Sequence, residues 1–312
     1  IRLVGYLGIK APMTKTHYKN PLFIVGMPRS GTTLVQGILC NTGSYFPIPE
    51  THFFSRVGYG LPEKLNSDQR EKLYATLTGK SRIEVDKNEF MKFDTQESIF
   101  NYIIDTFNND NRDKFLEKTP RHVFFVPKIL SYYPSAKFIC MLREPKNVVS
   151  SQITTTRIDN KSIIRLAFLY NKIAAAILNL KENENVVFIK YEDLTNDPQS
   201  TLKSLFEFLD MAYDPSLIET VSAPPEIVAK HEFWKNKNIN QSTIFENREY
   251  KWSNSLGNGE ANLINIITKK YAKQLGYETD VKWLPAIIGF FKDVKKLVVP
   301  REFRRFLSKI HG

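Results

Sequence analysis

The sequence predicts an α/β fold with a mostly parallel central sheet and helices on both of its faces. Three short runs, at 22–25, 138–142 and 186–189, are continuously apolar, as expected of strands that are buried on both faces. Longer segments between and after them place apolar residues at helical spacing. A hydrophobic fraction of 42% is enough for a sizeable core. Strands that alternate with helices in this way are typical of a parallel sheet between helical layers.

The N-terminal elements are a strand, a loop and a helix. The apolar run at 22–25 predicts the first strand, and a Gly/Pro/Ser loop at 26–31 follows it. Residues 32–40 predict a helix, because Leu34 and Ile38 share one face. The run at 138–142 predicts the second buried strand.

The C-terminal elements repeat this alternation. Asp197 and Pro198 are a typical N-cap and first-turn pair, and Gly276 is a typical helix stop. The predicted elements are a long helix over 161–182 with Tyr170 and Ile173 on its core side, the strand at 186–189, a helix from 198 to about 210 and a helix over 260–275.

We expect one domain over 21–280, an N-terminal extension at 1–20 and a basic C-terminal segment at 281–312. The last segment holds eight Lys/Arg and two Asp/Glu, more than half of the chain's net charge of +11. The body is therefore only mildly basic, which argues against nucleic acid binding and favours a pocket for a phosphorylated ligand. The apolar start of the C-terminal segment fits a membrane-surface helix, or equally a terminal helix packed on the body. The stretch 222–260 has no clear period and predicts loops.

The two cysteines exclude a disulfide-rich scaffold and a Cys-based zinc cluster, so we expect no metal. No apolar run reaches the roughly 18 residues of a membrane span.

The strongest local motif is Gly-Met-Pro-Arg-Ser-Gly-Thr-Thr at 26–33, between a buried strand and a helix. Glycines let the backbone approach a phosphate closely, and a helix N-terminus presents N–H groups and a positive dipole to an anion. The spacing matches a Walker loop at both glycines, but Thr32 occupies the lysine position, which disfavours a triphosphate ligand. The residues predicted to bind phosphate are Arg29, Ser30, Gly31, Thr32 and Thr33.

Pro-Arg-Ser-Gly-Thr-Thr-Leu resembles the 5′-phosphosulfate loop of sulfotransferases that use 3′-phosphoadenosine 5′-phosphosulfate (PAPS). In that family a strand ends in an Arg, and a Ser eight residues later joins it on the 3′-phosphate of the donor. Arg143 and Ser151 have this spacing after the strand at 138–142. The resemblance therefore implies a P-loop-like fold with both residues in the donor site. Taken alone, Arg143 also fits an ion pair with Glu144.

Tyr191 begins a segment that is similar to the Tyr-Glu-x-Leu segment after a strand in the same family. The resemblance implies that this ring approaches the adenine, although packing at a strand end fits it nearly as well. The Gly-rich, Lys-containing donor loop of the family has no clean copy here. Lys251 is included in the predicted donor site in its place, with Arg248 and Lys235 as alternatives.

Glu-Thr-His-Phe-Phe at 50–54 is similar to the segment that carries the catalytic base in heparan sulfate 3-O-sulfotransferases. Tyrosylprotein sulfotransferases have a Glu proposed as the base at the same place. The resemblance implies that Glu50 is the general base, and that His52 orients it or contacts the acceptor. From the residues alone, Glu50 also fits a solvated loop acid and His52 a packing histidine.

Glu-Lys-Thr-Pro at 117–120 is similar to a segment of the same glycan enzymes. The resemblance implies that Lys118 reaches the bridging oxygen of the donor and neutralises the leaving group. His122 is an alternative base, because cytosolic small-molecule sulfotransferases place a histidine close behind this lysine. Their spacing is Lys-x-His and here it is Lys-x-x-x-His, so Glu50 remains the preferred candidate for the general base.

The resulting hypothesis is a PAPS-dependent sulfotransferase that forms an O-sulfate on a small lipophilic alcohol, such as a sterol or lipid, or on a glycan. Without the disulfide of the Golgi glycan enzymes, a cytoplasmic, bacterial-type enzyme is expected, with membrane-surface contact possible through 281–312. The rival hypotheses are a P-loop kinase or NTPase, and a non-enzymatic protein of the membrane periphery.

Overall fold

The computed structural model describes residues 18–81, 83–155, 162–218, 252–282, 285–287 and 289–290. Its centre is a five-stranded parallel sheet with the strand order β2-β3-β1-β4-β5. The strands are β1 (Leu22–Gly26), β2 (Phe46–Ile48), β3 (Phe115–Lys118), β4 (Lys137–Leu142) and β5 (Val186–Lys190).

Helices lie on both faces of this sheet, because the side chains of β1 belong to two hydrophobic clusters, one on each face. Successive side chains of a strand point to opposite faces. Phe23 and Val25 join one cluster, whereas Leu22 and Ile24 join the other. Because both faces of β1 are covered by apolar side chains, the predicted α/β class with helices on both faces is confirmed.

The helices are α1 (Thr32–Asn41), α2 (Ser67–Thr76), α3 (Lys87–Phe90), α4 (Gln96–Asp105), α5 (Val126–Tyr132), α6 (Pro145–Thr155), α7 (Ile163–Leu178), α8 (Tyr191–Asn196), α9 (Pro198–Phe208) and α10 (Asn258–Gln274). A π-helical turn spans Phe53–Val57, and a 3-10 helix spans Pro120–Phe125. Further turns of these two kinds span Leu77–Ser81, Pro215–Ile218 and Trp252–Asn254.

Local signals placed several helix ends correctly. The Asp197 side chain caps α9 by accepting a hydrogen bond from the Ser200 N–H at 3.1 Å. Gly276 follows α10 with a φ of +77°, a left-handed conformation that glycine adopts without strain. The helix predicted over 161–182 is shorter than expected. Ser162 caps α7 through the Arg165 N–H at 3.2 Å, and the helix ends at Leu178.

Two strands were not predicted from the sequence. β2 is only three residues long and contains Pro47, and β3 ends in the charged pair Glu117 and Lys118. Both charged side chains are nevertheless buried. Hydrophobic patterning could not identify β3 because tertiary partners, rather than apolar character, account for the burial of its last two residues.

The described residues of the C-terminal segment pack against α10. Ala286 is buried, and the Gly289 backbone lies against Gly259 so closely that a Cβ on Gly289 would meet the Gly259 carbonyl oxygen at 2.3 Å. Most of 281–312, residues 1–17 of the predicted extension at 1–20 and residues 222–251 of the stretch 222–260 that was predicted as loops lie outside the described residues. The described end of that stretch contains the turn at Trp252–Asn254 and the start of α10. In the part of the chain that is described, no helix combines the length and hydropathy needed to cross a membrane.

Candidate active site

The strand ends bring the predicted site residues to one edge of the sheet. Because all five strands are parallel, the segments that follow them leave from the same edge, where open α/β sheets bind ligands. The loop at 26–31 follows β1, Glu50 to His52 follow β2, and Arg143 follows β4. Lys118 ends β3 and Tyr191 follows β5.

The loop after β1 depends on left-handed backbone. Gly26, Arg29 and Gly31 have φ values of +112°, +69° and +83°. The Met27 N–H donates to the carbonyl of Met141 in β4 at 2.9 Å, which holds the loop against the neighbouring strand. The Ser30 hydroxyl donates to the Met27 carbonyl and is completely buried, so it shapes the loop from within. α1 then begins at Thr32, and the N–H groups of its first turn have no partners within the helix.

Three of the predicted donor-site residues, Gly31, Tyr191 and Arg143, pack against one another. A Cβ on Gly31 would lie 2.6 Å from Cδ2 of Tyr191, so only glycine fits there. The Arg143 guanidinium also lies over this ring, with Cζ 4.2 Å from the ring centroid. The ring that was predicted to stack on adenine therefore packs against the loop and Arg143 in this structure.

Arg143 is buried, and no acid among the described residues forms an ion pair with its side chain. One guanidinium N–H donates to the Arg29 carbonyl at 2.6 Å, and Nε is buried with no hydrogen-bond partner in the described structure. Burial lowers the pKa of Arg143, and the nearby Tyr191 and Glu192 oppose that shift. Glu144, its alternative ion-pair partner, instead pairs with Lys146 at 2.9 Å. A buried guanidinium with an unused donor fits an anionic ligand group.

Ser151 and Arg29 also lie together. The Arg29 Nε–H donates to the Ser151 hydroxyl at 3.2 Å, which joins α6 to the loop after β1. Ser151 and Arg143 are thus both in contact with Arg29. Lys251 lies outside the described residues. Its neighbour Trp252 donates its backbone N–H to the Asn147 side chain of α6 at 3.1 Å.

Glu192 was not predicted as a site residue. Its carboxylate accepts the Glu144 N–H at 2.9 Å and the Tyr277 hydroxyl at 3.0 Å. It therefore connects the segments that follow β4, β5 and α10. The signal in the sequence was its place as the Glu of the Tyr-Glu-x-Leu segment that begins at Tyr191.

Glu50, Lys118 and His52 form the second half of the site. Lys118 donates to Oε1 of Glu50, and Nε2 of His52 lies 3.3 Å from Oε2. The Lys118 side chain is 2% exposed, whereas that of Glu50 is 29% exposed and reaches solvent. The carboxylate therefore has a buried cation on one oxygen and an imidazole on the other.

His52 is held in a conformation that is unusual for its residue type. Its φ is +51°, in the left-handed region. Burial lowers the pKa of His52, and the Glu50 carboxylate opposes this only in part. The ring is therefore neutral at neutral pH, and with its proton on Nε2 it can donate a hydrogen bond to Glu50 without adding a charge.

His122 lies in the interior of the same half. The ring is completely buried, and its Nδ1 lies 3.0 Å from Oε2 of Glu117. It packs edge-on against Phe54, with ring centroids 5.1 Å apart. Since Glu50 reaches solvent and His122 does not, the geometry favours Glu50 as the group that meets an acceptor.

Comparisons with known proteins identify a family for this chain. A family model described as the sulfotransferase family matches residues 21–215. The chain is 22% identical over 214 residues to protein-tyrosine sulfotransferase A of Caenorhabditis elegans, a match that covers 63% of this chain and 51% of that protein. It is 28% identical over 115 residues to the omega-hydroxy-beta-dihydromenaquinone-9 sulfotransferase of Mycobacterium tuberculosis, with 32% and 29% covered. The chain thus spans about half the length of the first and under a third of the second.

Solved structures show the same fold. The sulfotransferase domain of the Synechococcus PCC 7002 olefin synthase has a TM-score of 0.56 and 21% identity, with 88% of this chain and all of that domain covered. The sulfotransferase domain of the curacin biosynthetic pathway has a TM-score of 0.53 and 20% identity, with 84% and 99% covered.

Proposed function

The chain belongs to the sulfotransferase family, and from that premise we propose that it transfers a sulfuryl group from PAPS to the hydroxyl of an acceptor. The observation that carries the proposal is the Glu50–Lys118 pair, which joins a solvent-reaching carboxylate to a buried cation. The donor loop leaves the same edge of the sheet. Sulfuryl transfer needs a base for the acceptor, a cation for the leaving phosphate and a fixed donor.

The donor would lie along the loop after β1. We assign its 5′-phosphosulfate to the start of α1, with Arg29, Gly31, Thr32 and Thr33 around it. The 3′-phosphate would meet Ser151 and Arg143, whose buried Nε has no partner in the described structure. Ser30 supports the loop from within. Lys251 would complete the site. Its neighbour Trp252 supports this assignment, because the Trp252 ring packs on α6, with Nζ of Lys146 4.9 Å from the ring centroid.

The reaction would proceed by in-line transfer. Glu50 accepts the proton of the acceptor hydroxyl, the acceptor oxygen forms the new S–O bond, and the bond from sulfur to the bridging phosphate oxygen breaks. Lys118 stabilises the charge that develops on the departing adenosine 3′,5′-bisphosphate (PAP), and the donation of Lys118 to Glu50 shifts to the donor when it binds. His52 holds Oε2 of Glu50 during this step.

For the acceptor we propose a small lipophilic alcohol, with a glycan hydroxyl as the alternative. One relative is named for an omega-hydroxy menaquinone and another for protein tyrosine, so the family includes lipid-like and phenolic acceptors. Aromatic side chains are present in the segments that follow Glu50 and Lys118 in the chain. Tyr59 is exposed and packs edge-on against Phe125, with ring centroids 5.9 Å apart.

A cytoplasmic location, with membrane-surface contact through 281–312, stays a prediction. Ile287 and Phe290 are the exposed large apolar side chains of this segment among the residues described.

The test is transfer of labelled sulfate from PAPS to a panel of sterols, lipid alcohols, sugars, phenols and peptides. We expect transfer to at least one hydroxyl class, undiminished by EDTA. In parallel, a titration should show tighter binding of PAP than of ATP, without Mg²⁺. Preference for ATP with Mg²⁺, together with no transfer from PAPS, would instead support the kinase hypothesis.

A further inference from the structure

Glu117 is the only completely buried carboxylate among the residues that the structure describes. Charged groups in the interior need compensating hydrogen bonds. Burial by itself would raise the pKa of Glu117, but the His122 ring and the hydrogen bonds from His122, Thr119 and Thr51 outweigh it and lower the pKa. The group is therefore a carboxylate, and it was not assigned a role in the sequence analysis.

The hydrogen bonds of Glu117 connect the ends of two strands. Its Oε1 accepts the Thr51 hydroxyl at 2.9 Å and the Thr51 N–H at 3.3 Å, both from the segment after β2. The same oxygen accepts the Thr119 hydroxyl at 2.5 Å, from the segment after β3. Oε2 faces Nδ1 of His122 at 3.0 Å. Glu117 thus joins two segments that carry catalytic groups.

The two threonine hydroxyls also bind the backbone next to Glu50, and so connect it to Glu117. While Thr119 donates to Glu117, its oxygen accepts the His52 N–H at 3.4 Å. While Thr51 donates to Glu117, its oxygen accepts the Phe53 N–H at 3.2 Å. These bonds hold His52 in its left-handed conformation, with Nε2 on Glu50. Lys118 lies between Glu117 and Thr119 in the chain, so the same bonds fix its backbone.

We propose that Glu117 is a positioning residue that holds Glu50 and Lys118 in the geometry that the transfer step needs. It touches neither donor nor acceptor, and acts through Thr51, Thr119 and His52. This role rests on the proposed function. A displacement of about 1 Å at a catalytic group can lower a rate by about 100-fold.

The experiment compares kcat and donor affinity in two variants. Glu117→Gln should lower kcat on the order of 10–100-fold, because the neutral amide is a weaker acceptor for two hydroxyls. Thr119→Val removes the hydroxyl that links His52 to Glu117 but leaves the bonds from Thr51 and His122, so the variant should fold even if Glu117→Gln does not. We expect it to lower kcat about 10-fold. PAP affinity should stay within about two-fold in both, since the donor loop is untouched.

Two matched variants separate positioning from general stability. Thr119→Ser keeps the hydroxyl and should retain kcat. Thr268→Val deletes an equally buried hydroxyl, which donates to the Ile264 carbonyl at 2.8 Å in α10, and should leave kcat unchanged. If Thr119→Val keeps the kcat of the unaltered chain, or if Thr268→Val loses as much, the positioning role is overturned.

Amide hydrogen exchange tests the same role without any turnover. The His52 N–H should exchange about 10-fold faster in Thr119→Val than in the unaltered chain, because its acceptor is gone. Unchanged exchange would overturn the proposal. If the unaltered chain transfers no sulfuryl group from PAPS, the proposed function fails, and the exchange result still decides whether Glu117 and Thr119 hold the segment.

Discussion

The two halves of the site are held in place by different means. The donor half, around Gly31, Arg143 and Tyr191, depends on left-handed backbone and on close packing of one ring against a glycine. The acceptor half, around Glu50 and Lys118, depends on side-chain hydrogen bonds to a buried carboxylate. A methyl group added at Gly31 should therefore disturb the packing of the donor half, whereas the acceptor half should be sensitive to changes of charge and hydrogen bonding. Substitutions in both halves test this difference.

The largest effect is expected in the acceptor half. Glu50→Gln keeps the shape of the side chain but removes its basicity, so kcat should fall on the order of 10²–10⁴-fold while PAP affinity barely changes. A phenolic acceptor, which needs less deprotonation than an alkyl alcohol, should restore part of the rate. The measurement is steady-state kinetics with one acceptor of each kind.

The same kinetics in two other variants sharpen that result. Lys118→Ala should lose rate with both acceptors, because the leaving phosphate is the same. Glu63→Gln makes the same chemical change at a carboxylate that pairs with Lys128 at 3.6 Å, and should be neutral. Near-full activity of Glu50→Gln with an alkyl alcohol, together with inactive His122→Ala or His52→Ala, would assign the base to a histidine.

The next effect is expected in the donor half. Arg143→Ala should weaken PAP binding on the order of 10–100-fold, because charge-assisted bonds to the 3′-phosphate are lost. Binding of adenosine 5′-phosphate, which lacks that group, should change little. Calorimetric titration with both nucleotides measures the difference.

Arg70→Ala is the matched control for Arg143→Ala. Arg70 also donates to a backbone carbonyl, that of Met91, at 2.6 Å, and its Nε is also buried without a partner in the described structure. It should leave both affinities unchanged. An equal loss of both nucleotides in Arg143→Ala would contradict the 3′-phosphate assignment.

A smaller effect is expected for Gly31→Ala. The left-handed φ of +83° costs a non-glycine residue about 1–2 kcal/mol, and the new Cβ must also displace the Tyr191 ring. Gly43→Ala is the control, because Gly43 has a φ of +70° with open space where the Cβ would be. Urea unfolding should show a larger loss of unfolding free energy for Gly31→Ala than for Gly43→Ala. Equal losses would show that the Tyr191 contact has no part in holding the donor half.

The smallest effect is the pH dependence of His52. Burial lowers its pKa below 6.5, so as the pH falls through about 6.5 the unfolded chain binds a proton that the folded chain does not. The unaltered protein therefore loses unfolding free energy on acidification, and His52→Gln should lose less between about pH 7.5 and 5.5. Gly31→Ala should keep the pH dependence of the unaltered chain. An unchanged pH dependence in His52→Gln would mean that the ring is not held neutral.

The sequence alone predicted most residues of the donor half because their signals are local. A continuous apolar strand, a glycine at each turn and a helix start lie within a dozen residues of one another, and the spacing of Arg143 and Ser151 is set by one strand and one helix. The same local signals predicted β1, β4, β5 and the long helices.

Tertiary structure decided the acceptor half. β2 is too short to identify from its pattern, and β3 ends in two charged residues that only their partners bury. Glu50 meets Lys118 across 68 residues of chain, and Thr51 meets Glu117 across 66. Nothing in the sequence indicated the proposed role of Glu117, because the sequence does not distinguish a buried glutamate from a solvent-exposed one. Its burial and partners exist only after β3 pairs with β1 and β2, because only that pairing brings the ends of β2 and β3 side by side.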